Sequence, residues 1–385
     1  MINFNIDSSL KYYNESSNII SNFENENKFN DWYNLSLDVD YINNLASDIR
    51  KKYDAMIIIG IGGSYLGSRA IIDGLKEYKK RNDTEIIYVG NNLSSDYIHD
   101  IFSYIKDKNI CMNVISKSGN TLETLIAFNL FFEYIKEKYN DYEDRVIVTT
   151  NSKEGTLLEI ANKYNLKRID VSLNTVGRFS VISEVGLLPV AVAGYDISKI
   201  VEGAKKCKSN MNECFKYASM RQEMYDNDIF VESVDVYEPK LYYFTEWIKQ
   251  LFNETQGKDN KGILSIATIN TTDLHSIEQY YQSGKVNIFS TVIFNHSKNK
   301  LYIEKYNKYL DEINEIAAKS VIQARKDRIY SNFIEIDELN EENIGFLMFF
   351  FEISAVIGSY LLKIDYYNQP SVEKYKNCIN NLLNS

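Results

Sequence analysis

Three observations predict an α/β fold built on parallel sheets. Short apolar runs alternate with helical patterns through the first half. Two of those runs end in glycine- and hydroxyl-rich loops that open a helix, and the alternation resumes after a helical interruption. Segments 55–59, 85–89, 110–115 and 145–149 read as strands, with helices expected over 65–78, 95–105, 121–139 and 157–164. Such alternation puts helices on both faces of a parallel sheet. After Gly194, helices over 197–226 break the rhythm, and strand-like segments resume at Phe230, Gly262, Asn287 and Asn332, so the second half is a further α/β unit. The stretch before the first strand is amphipathic and expected to be helical. At 385 residues and 44.7 kDa the chain is long enough for two packed units. With no proline- or serine-rich linker, an extensive interface is expected between them, and the cleft there is the default ligand site.

The first loop, Gly60, Ile61, Gly62, Gly63 and Ser64, follows the apolar run Met56 to Ile59; glycines without Cβ atoms let backbone amides approach a ligand. The second, Ser116, Lys117, Ser118, Gly119 and Asn120, precedes Thr121, and Asn120 with Glu123 reads as a capping box. Free amides, three hydroxyls and the positive end of a helix dipole favour an anion. Both loops fall at the carboxyl ends of strands, where ligands of such folds bind. A phosphorylated small molecule is the first inference. A dinucleotide site would want G-x-G-x-x-G, but Tyr65 stands at the third position, and the next strand ends in Gly90 rather than an acid. A nucleoside-triphosphate loop would want Lys after its last glycine, whereas Ser68 follows Gly67.

A formal net charge of -10 and a pI near 5.1 leave no broad basic field for nucleic acid or an anionic membrane, so an anion has to be caught locally. Cys111, Cys207, Cys214 and Cys378 show no CxxC pairing, with Cys207 and Cys214 on one helical pattern, and point to reduced cytosolic thiols. His99, His275 and His296 form no ligand motif, which argues against a metal enzyme. The first residues lack the basic-then-apolar pattern of an export signal. Segment 344–362, IGFLMFFFEISAVIGSYLL, reaches spanning length, but Glu352 at its centre and the lack of flanking basic residues favour a buried core helix.

Four segments carry groups able to do chemistry. In WIKQLFNETQGKDNKG, Gln250 and Glu254 lie one helical turn apart and Gly257 can end the helix; a partly buried carboxylate at a helix end is a candidate general base, although by residue type alone Glu254 reads as a solvated surface carboxylate. Arg178, beside Gly177 at the entrance of an apolar helix, can stabilise an oxyanion, clamp a phosphate or serve a structural ion pair. His275, in TTDLHSIEQYYQ at an expected helix start, is suited to moving protons near neutral pH or, as most lone histidines do, to serving as a hydrogen-bond partner. Gln369 and Lys376, in NQPSVEKYK, open the last helix, where Lys376 reads as a surface cation on its own.

Over nearly its whole length the chain resembles the glucose-6-phosphate isomerase family, most closely its shorter bacterial form. The matching segments are IGIGGSYLGS, ISKSGNTLET, VGRFSVISEVGLLPVAVAGYD, EWIKQLFNETQGKDNKG, TTDLHSIEQY and NQPSVEKYK, in the family's order. The resemblance implies two sugar-isomerase-type lobes: a helical segment over 1–45 packing on the second lobe, a first lobe over 46–195 with the phosphate loops, and a second over 196–385. It implies interconversion of glucose 6-phosphate and fructose 6-phosphate without metal or other cofactor, in the cytoplasm, by a homodimer with shared sites. Ser64, Ser116, Ser118 and Thr121, with Lys117 in the same loop, would hold the phosphate, and Gly63, Gln250 and Gln369 would contact the sugar. Glu254 matches the base that carries a proton between C1 and C2, Arg178 the group that stabilises the cis-enediolate, and His275 and Lys376 the ring-opening pair. In the family the counterpart of His275 comes across the dimer interface. Two departures stand out: Val176-Gly177 precedes the arginine where two glycines are usual, and Ser371 follows Gln-Pro where a glycine is usual. Two alternatives stay open, a dual-specificity relative that also accepts mannose 6-phosphate and a non-catalytic sugar-phosphate sensor.

Overall fold

A computed structural model describes residues 1–6, 11–25, 31–77, 84–172 and 174–383. Among them run β1 (Ile2–Asn5), β2 (Ala55–Ile59), β3 (Glu85–Val89), β4 (Ile110–Ile115), β5 (Val146–Thr150) and β6 (Lys167–Asp170). The later strands are β7 (Val231–Val236), β8 (Leu264–Ile269), β9 (Ile288–Asn295), the short pair β10 (Tyr302–Ile303) and β11 (Lys308–Tyr309), and β12 (Ser331–Ile336). The chain divides into two compact units. One comprises Glu26–Cys207 and Leu339–Met348; the other comprises Met1–Asn25, Lys208–Glu338 and Phe349–Ser385.

In the first unit a five-stranded sheet runs β3-β2-β4-β5-β6, every pair parallel. All five residues of β2 and all six of β4 are buried, as continuous apolar runs in a sheet covered on both faces should be. The core on this sheet joins Ile57, Ile59, Met112 and Val114 to Phe128, Phe131 and Ile135 of the helix Leu122–Lys138. Each such side chain contributes about 1.5–3 kcal/mol on removal from water. The connection from β2 leads to β3 on one side, whereas β4 leads through β5 to β6 on the other. The direction of winding therefore reverses between β2 and β4, and the crevice at their carboxyl ends is where ligands of open α/β sheets bind.

The second unit carries the order β1-β12-β9-β7-β8, parallel except for β1 against β12. Here too the winding reverses, between β7 and β9. The helix Tyr242–Gln256 crosses from β7 to β8, and the helix Leu310–Arg325 precedes β12.

The strands and helices expected from the alternation are present within one or two residues, apart from the end of the helix expected over 65–78. That helix covers Leu66–Leu75, and Tyr78 lies outside the described residues. Four strands had no separate signal, β1, β6 and the two-residue pair β10 and β11. β6 buries only Ile169 among Lys167, Arg168 and Asp170, and β1 is four residues of alternating burial inside a stretch read as helical. Helices do follow, at Tyr13–Asn25, Asp31–Asn34 and Val39–Lys52, the last capped by Asp38, which accepts from the Tyr41 amide at 2.9 Å. Cys207 and Cys214 fall on two successive helices rather than one, because the chain leaves the helix Ile197–Ser209 before Asn212–Asp226 begins; no disulfide joins any of the four cysteines. The apolar helix Glu341–Leu361 is a core element with 89% of its most apolar window buried, and Glu352 is 1% exposed.

Candidate active site

In the first unit, β2 delivers the chain to Gly60 and a 3-10 turn, Gly62–Ser64, before the helix Leu66–Leu75. Gly62 has φ +59, a left-handed conformation that favours glycine. Gly63 is required for a different reason. A Cβ there would lie 2.0 Å from the Gly177 carbonyl oxygen, so only glycine lets the loop bearing Ser64 touch the turn bearing Arg178. At Gly177 itself a Cβ would meet only Gly63, at 3.8 Å, and the preceding Val176 is 9% exposed.

The second loop leaves β4 at Ser116, which is 3% exposed, beside the first because β2 and β4 pair directly. Its hydroxyls converge: Ser116 Oγ lies 3.0 Å from Thr121 Oγ1 and 3.5 Å from Ser118 Oγ, and Ser118 Oγ accepts from the Asn120 amide at 3.3 Å. The loop is braced from behind. Thr150 Oγ1 donates to the Ser116 carbonyl at 2.8 Å, Asn151 Nδ2 to the Lys117 carbonyl at 2.7 Å, and the Leu157 amide to the Gly119 carbonyl at 3.2 Å.

The expected capping box is not formed. Thr121 is the N-cap of Leu122–Lys138 without a side-chain cap bond, and Asn120 turns away to accept from Thr156, amide at 3.0 Å and hydroxyl at 2.9 Å. The brace outcompetes the cap for Asn120, leaving the first turn without a side-chain cap.

Arg178 occupies the 3-10 turn Gly177–Phe179 and is 1% exposed; Phe179 stacks on Trp32 at 4.7 Å and Ser180 Oγ donates to the Gly177 carbonyl at 2.7 Å. Burial first, and then the Arg178 guanidinium, pull the Lys117 ammonium below its usual value. Two cations repelling one another beside a cluster of hydroxyls form a place where a polyanion is stabilised.

The second unit holds the other candidates. On the helix Tyr242–Gln256, Trp247, Ile248, Leu251, Phe252, Thr255 and Gln256 face inward, leaving Gln250 and Glu254 half-buried on another face. Gln250 Nε2 donates to Glu254 Oε1 at 3.0 Å, which orients the carboxylate, while Gln250 Oε1 is buried with no partner. Asn253 fastens this end of the helix to β8 with bonds of 3.0 and 2.9 Å to the Ser265 backbone, and Gly257 ends the helix, its amide reaching the Asn253 carbonyl at 3.0 Å.

His275 closes the 3-10 turn Thr272–His275 after β8 and is exposed; the helix Glu278–Ser283 begins three residues later. Gln369 is half-buried just before the helix Val372–Leu383, on which Lys376 is half-buried. Lys258, which had drawn no attention in the sequence, donates to the Asp365 and Asn368 carbonyls and holds the approach to Gln369. The structure therefore groups Gly63, Ser64, Ser116, Lys117, Ser118, Thr121 and Arg178 in one unit, and Gln250, Glu254, His275, Gln369 and Lys376 in the other.

Residues 44–276 match the family model described as phosphoglucose isomerase. Among curated proteins, the glucose-6-phosphate isomerase of Acetivibrio thermocellus is 40% identical over 91% of this chain and 86% of its own length. That of Fusobacterium nucleatum is 37% identical over 91% and 85%. Among solved structures, a hypothetical protein of Thermus thermophilus superposes with a TM-score of 0.91 at 21% identity, covering 100% of both chains. A glucose-6-phosphate isomerase from Chlamydia trachomatis gives 0.78 at 18% identity, over 90% of this chain and 72% of that one. At such identities the structural likenesses speak for the fold, that of the phosphosugar isomerases.

Proposed function

Because this chain belongs to the phosphoglucose isomerase family, we propose that it interconverts glucose 6-phosphate and fructose 6-phosphate through a cis-enediolate. The observation that carries the reading is the hydroxyl cluster of Ser116, Ser118 and Thr121 beside Lys117, in the same unit as a wholly buried arginine. Ser64, Ser116, Lys117, Ser118 and Thr121 bind the phosphate, and Gly63, Gln250 and Gln369 contact the sugar.

The chemistry follows from what these groups can do. A hydrogen on the carbon next to a carbonyl is weakly acidic, so its removal needs a placed base and stabilisation of charge on the developing oxygens. Glu254 takes the proton from C2 of the open-chain aldose and returns it to C1, while Arg178 stabilises the enediolate. The bond from Gln250 supports that role for Glu254 by limiting the rotamers of the carboxylate. His275, assisted by Lys376, moves the proton between the anomeric hydroxyl and the ring oxygen that opens the pyranose. The reading carries with it a cytoplasmic homodimer with shared sites, as the family resemblance implies.

The test is direct. Purified protein incubated with glucose 6-phosphate and a chelator should form fructose 6-phosphate to equilibrium, read through a coupled dehydrogenase. Tight binding of the sugar phosphate without turnover would overturn the reading in favour of a sensor. A size measurement returning only monomer would count against shared sites.

A further inference from the structure

Arg325 ends the helix Leu310–Arg325, is 1% exposed, and has no place in the chemistry above. Its Nη1 donates to Asp235 Oδ2 at 2.8 Å; Asp235, 0% exposed on β7, also accepts from Thr268 Oγ1 of β8 at 2.6 Å. The rest of the guanidinium grips Glu278: Nε lies 3.1 Å from Oε2 and 3.2 Å from Oε1, and Nη2 also donates to Oε2. Glu278 is the first residue of the helix Glu278–Ser283, three positions after His275. Gln282 Nε2 reinforces the same carboxylate at 2.8 Å. Two positions before His275, Asp273 accepts from the Ile269 amide at 2.7 Å and from Ser276 Oγ at 3.0 Å. The turn that displays the exposed His275 is thereby tied at one end to β8 and at the other, through Glu278 and Arg325, to Asp235 on the adjacent β7.

An exposed imidazole on a short turn has few contacts of its own to fix it, and a proton shuttle loses efficiency steeply when displaced. Burial opposes the Arg325 charge, yet the Glu278 and Asp235 carboxylates outweigh it and hold the guanidinium firmly ionised. We propose that Arg325, anchored by Asp235, is a positioning residue for His275, which it acts on by clamping Glu278. The inference rests on the ring-opening role given to His275 above.

The experiment uses the full chain with Glu278→Ala, which severs the clamp, Glu278→Gln, which keeps an acceptor for Arg325, and His275→Ala as the reference. Two readouts separate the steps: interconversion of the glucose 6-phosphate anomers by NMR exchange, and the partition of C2 deuterium between C1 and water during isomerisation. The second is set after the ring has opened. In Glu278→Ala the anomer exchange should fall about tenfold, short of the ~10²-fold expected of His275→Ala, with the deuterium partition unchanged and Glu278→Gln restoring most of the loss. Wild-type anomer exchange in a folded Glu278→Ala, with His275→Ala impaired, would overturn the clamp alone. Wild-type exchange in His275→Ala would overturn the ring-opening role beneath it. If Glu278→Ala does not fold, Arg325→Lys, which withdraws the two-pronged grip on Glu278, decides: slowed exchange with an unchanged partition supports the clamp, and undiminished exchange removes it.

Discussion

The two units reach chemistry by different routes. The first builds its candidate groups from backbone: glycines at 62, 63 and 119 allow the turns and close approaches of its loops, and the hydroxyls of Ser116, Ser118 and Thr121 gather where the winding of the sheet reverses. The second builds from long side chains, Glu254, His275 and Lys376, on helical elements, held by Gln250, by Asn253 and by the buried Arg325 with its two carboxylates. An anion can be held by amides and hydroxyls aimed by the chain's path, so it needs positions that tolerate no side chain. A proton has to be carried by a titratable group, so it needs side chains whose rotamers are fixed by others.

That contrast can be broken at several points, beginning with the greatest effect. Glu254→Gln should lower kcat by about 10³-fold while binding of the sugar phosphate, read by calorimetry, stays within about twofold. A loss confined to KM would move Glu254 to the binding side. Gly63→Ala forces a methyl against the Gly177 carbonyl 2.0 Å away and should lower kcat/KM by about 10²-fold through separation of the Ser64 and Arg178 turns. Activity near wild type would show that the two turns need not touch. Lys117→Met should raise KM for the phosphorylated sugar by roughly ten- to a hundredfold with kcat little changed, the scale of one hydrogen bond to a charged group. Inorganic phosphate should also raise the depressed Lys117 value, measurable by NMR of labelled lysine, because a bound anion opposes the repulsion from Arg178.

The smallest effect lies away from the site. Burial raises the Glu352 carboxyl well above its ordinary value and so favours its neutral form in the fold, with Oε1 lacking a partner. The unfolded chain releases that proton at the ordinary value. The stability that comes from keeping it is therefore complete below the usual carboxylate range and is lost as pH rises through that range toward the folded value. Glu352→Gln should accordingly leave the melting temperature unchanged near pH 4 and raise it by a few degrees at pH 8, on the order of 1–3 kcal/mol. No gain at pH 8 would mean that the carboxyl finds compensation in the fold.

Much of the fold was legible because its causes are local. Continuous apolar runs such as AMIII and ICMNVI make parallel strands whatever their neighbours, and the alternation that follows them allows few topologies. β1 and β6 were not legible, since a four-residue edge strand is defined by the partner it pairs with. The two glycine- and hydroxyl-rich loops could be read as candidate anion cradles from residues 60–64 and 116–121 taken together, whereas the roles proposed for Glu254, Arg178, His275 and Lys376 came through resemblance, one carboxylate on a helix looking much like another in sequence. The capping box misled because Asn120 has a long-range partner in Thr156 that spacing does not reveal. The buried Arg325 clamp had a faint signal, the acids Glu232 and Asp235 inside the otherwise apolar or small strand VESVDV, but nothing in the order of residues says which arginine meets them.

The most direct test follows the hydrogen itself. With glucose 6-phosphate deuterated at C2, proton transfer through Glu254 predicts fructose 6-phosphate with part of the label at C1 and the remainder in water, and no detectable exchange in Glu254→Gln. Complete retention of deuterium at C1, the mark of a direct hydride shift, or exchange at the wild-type rate in the variant, would contradict the account.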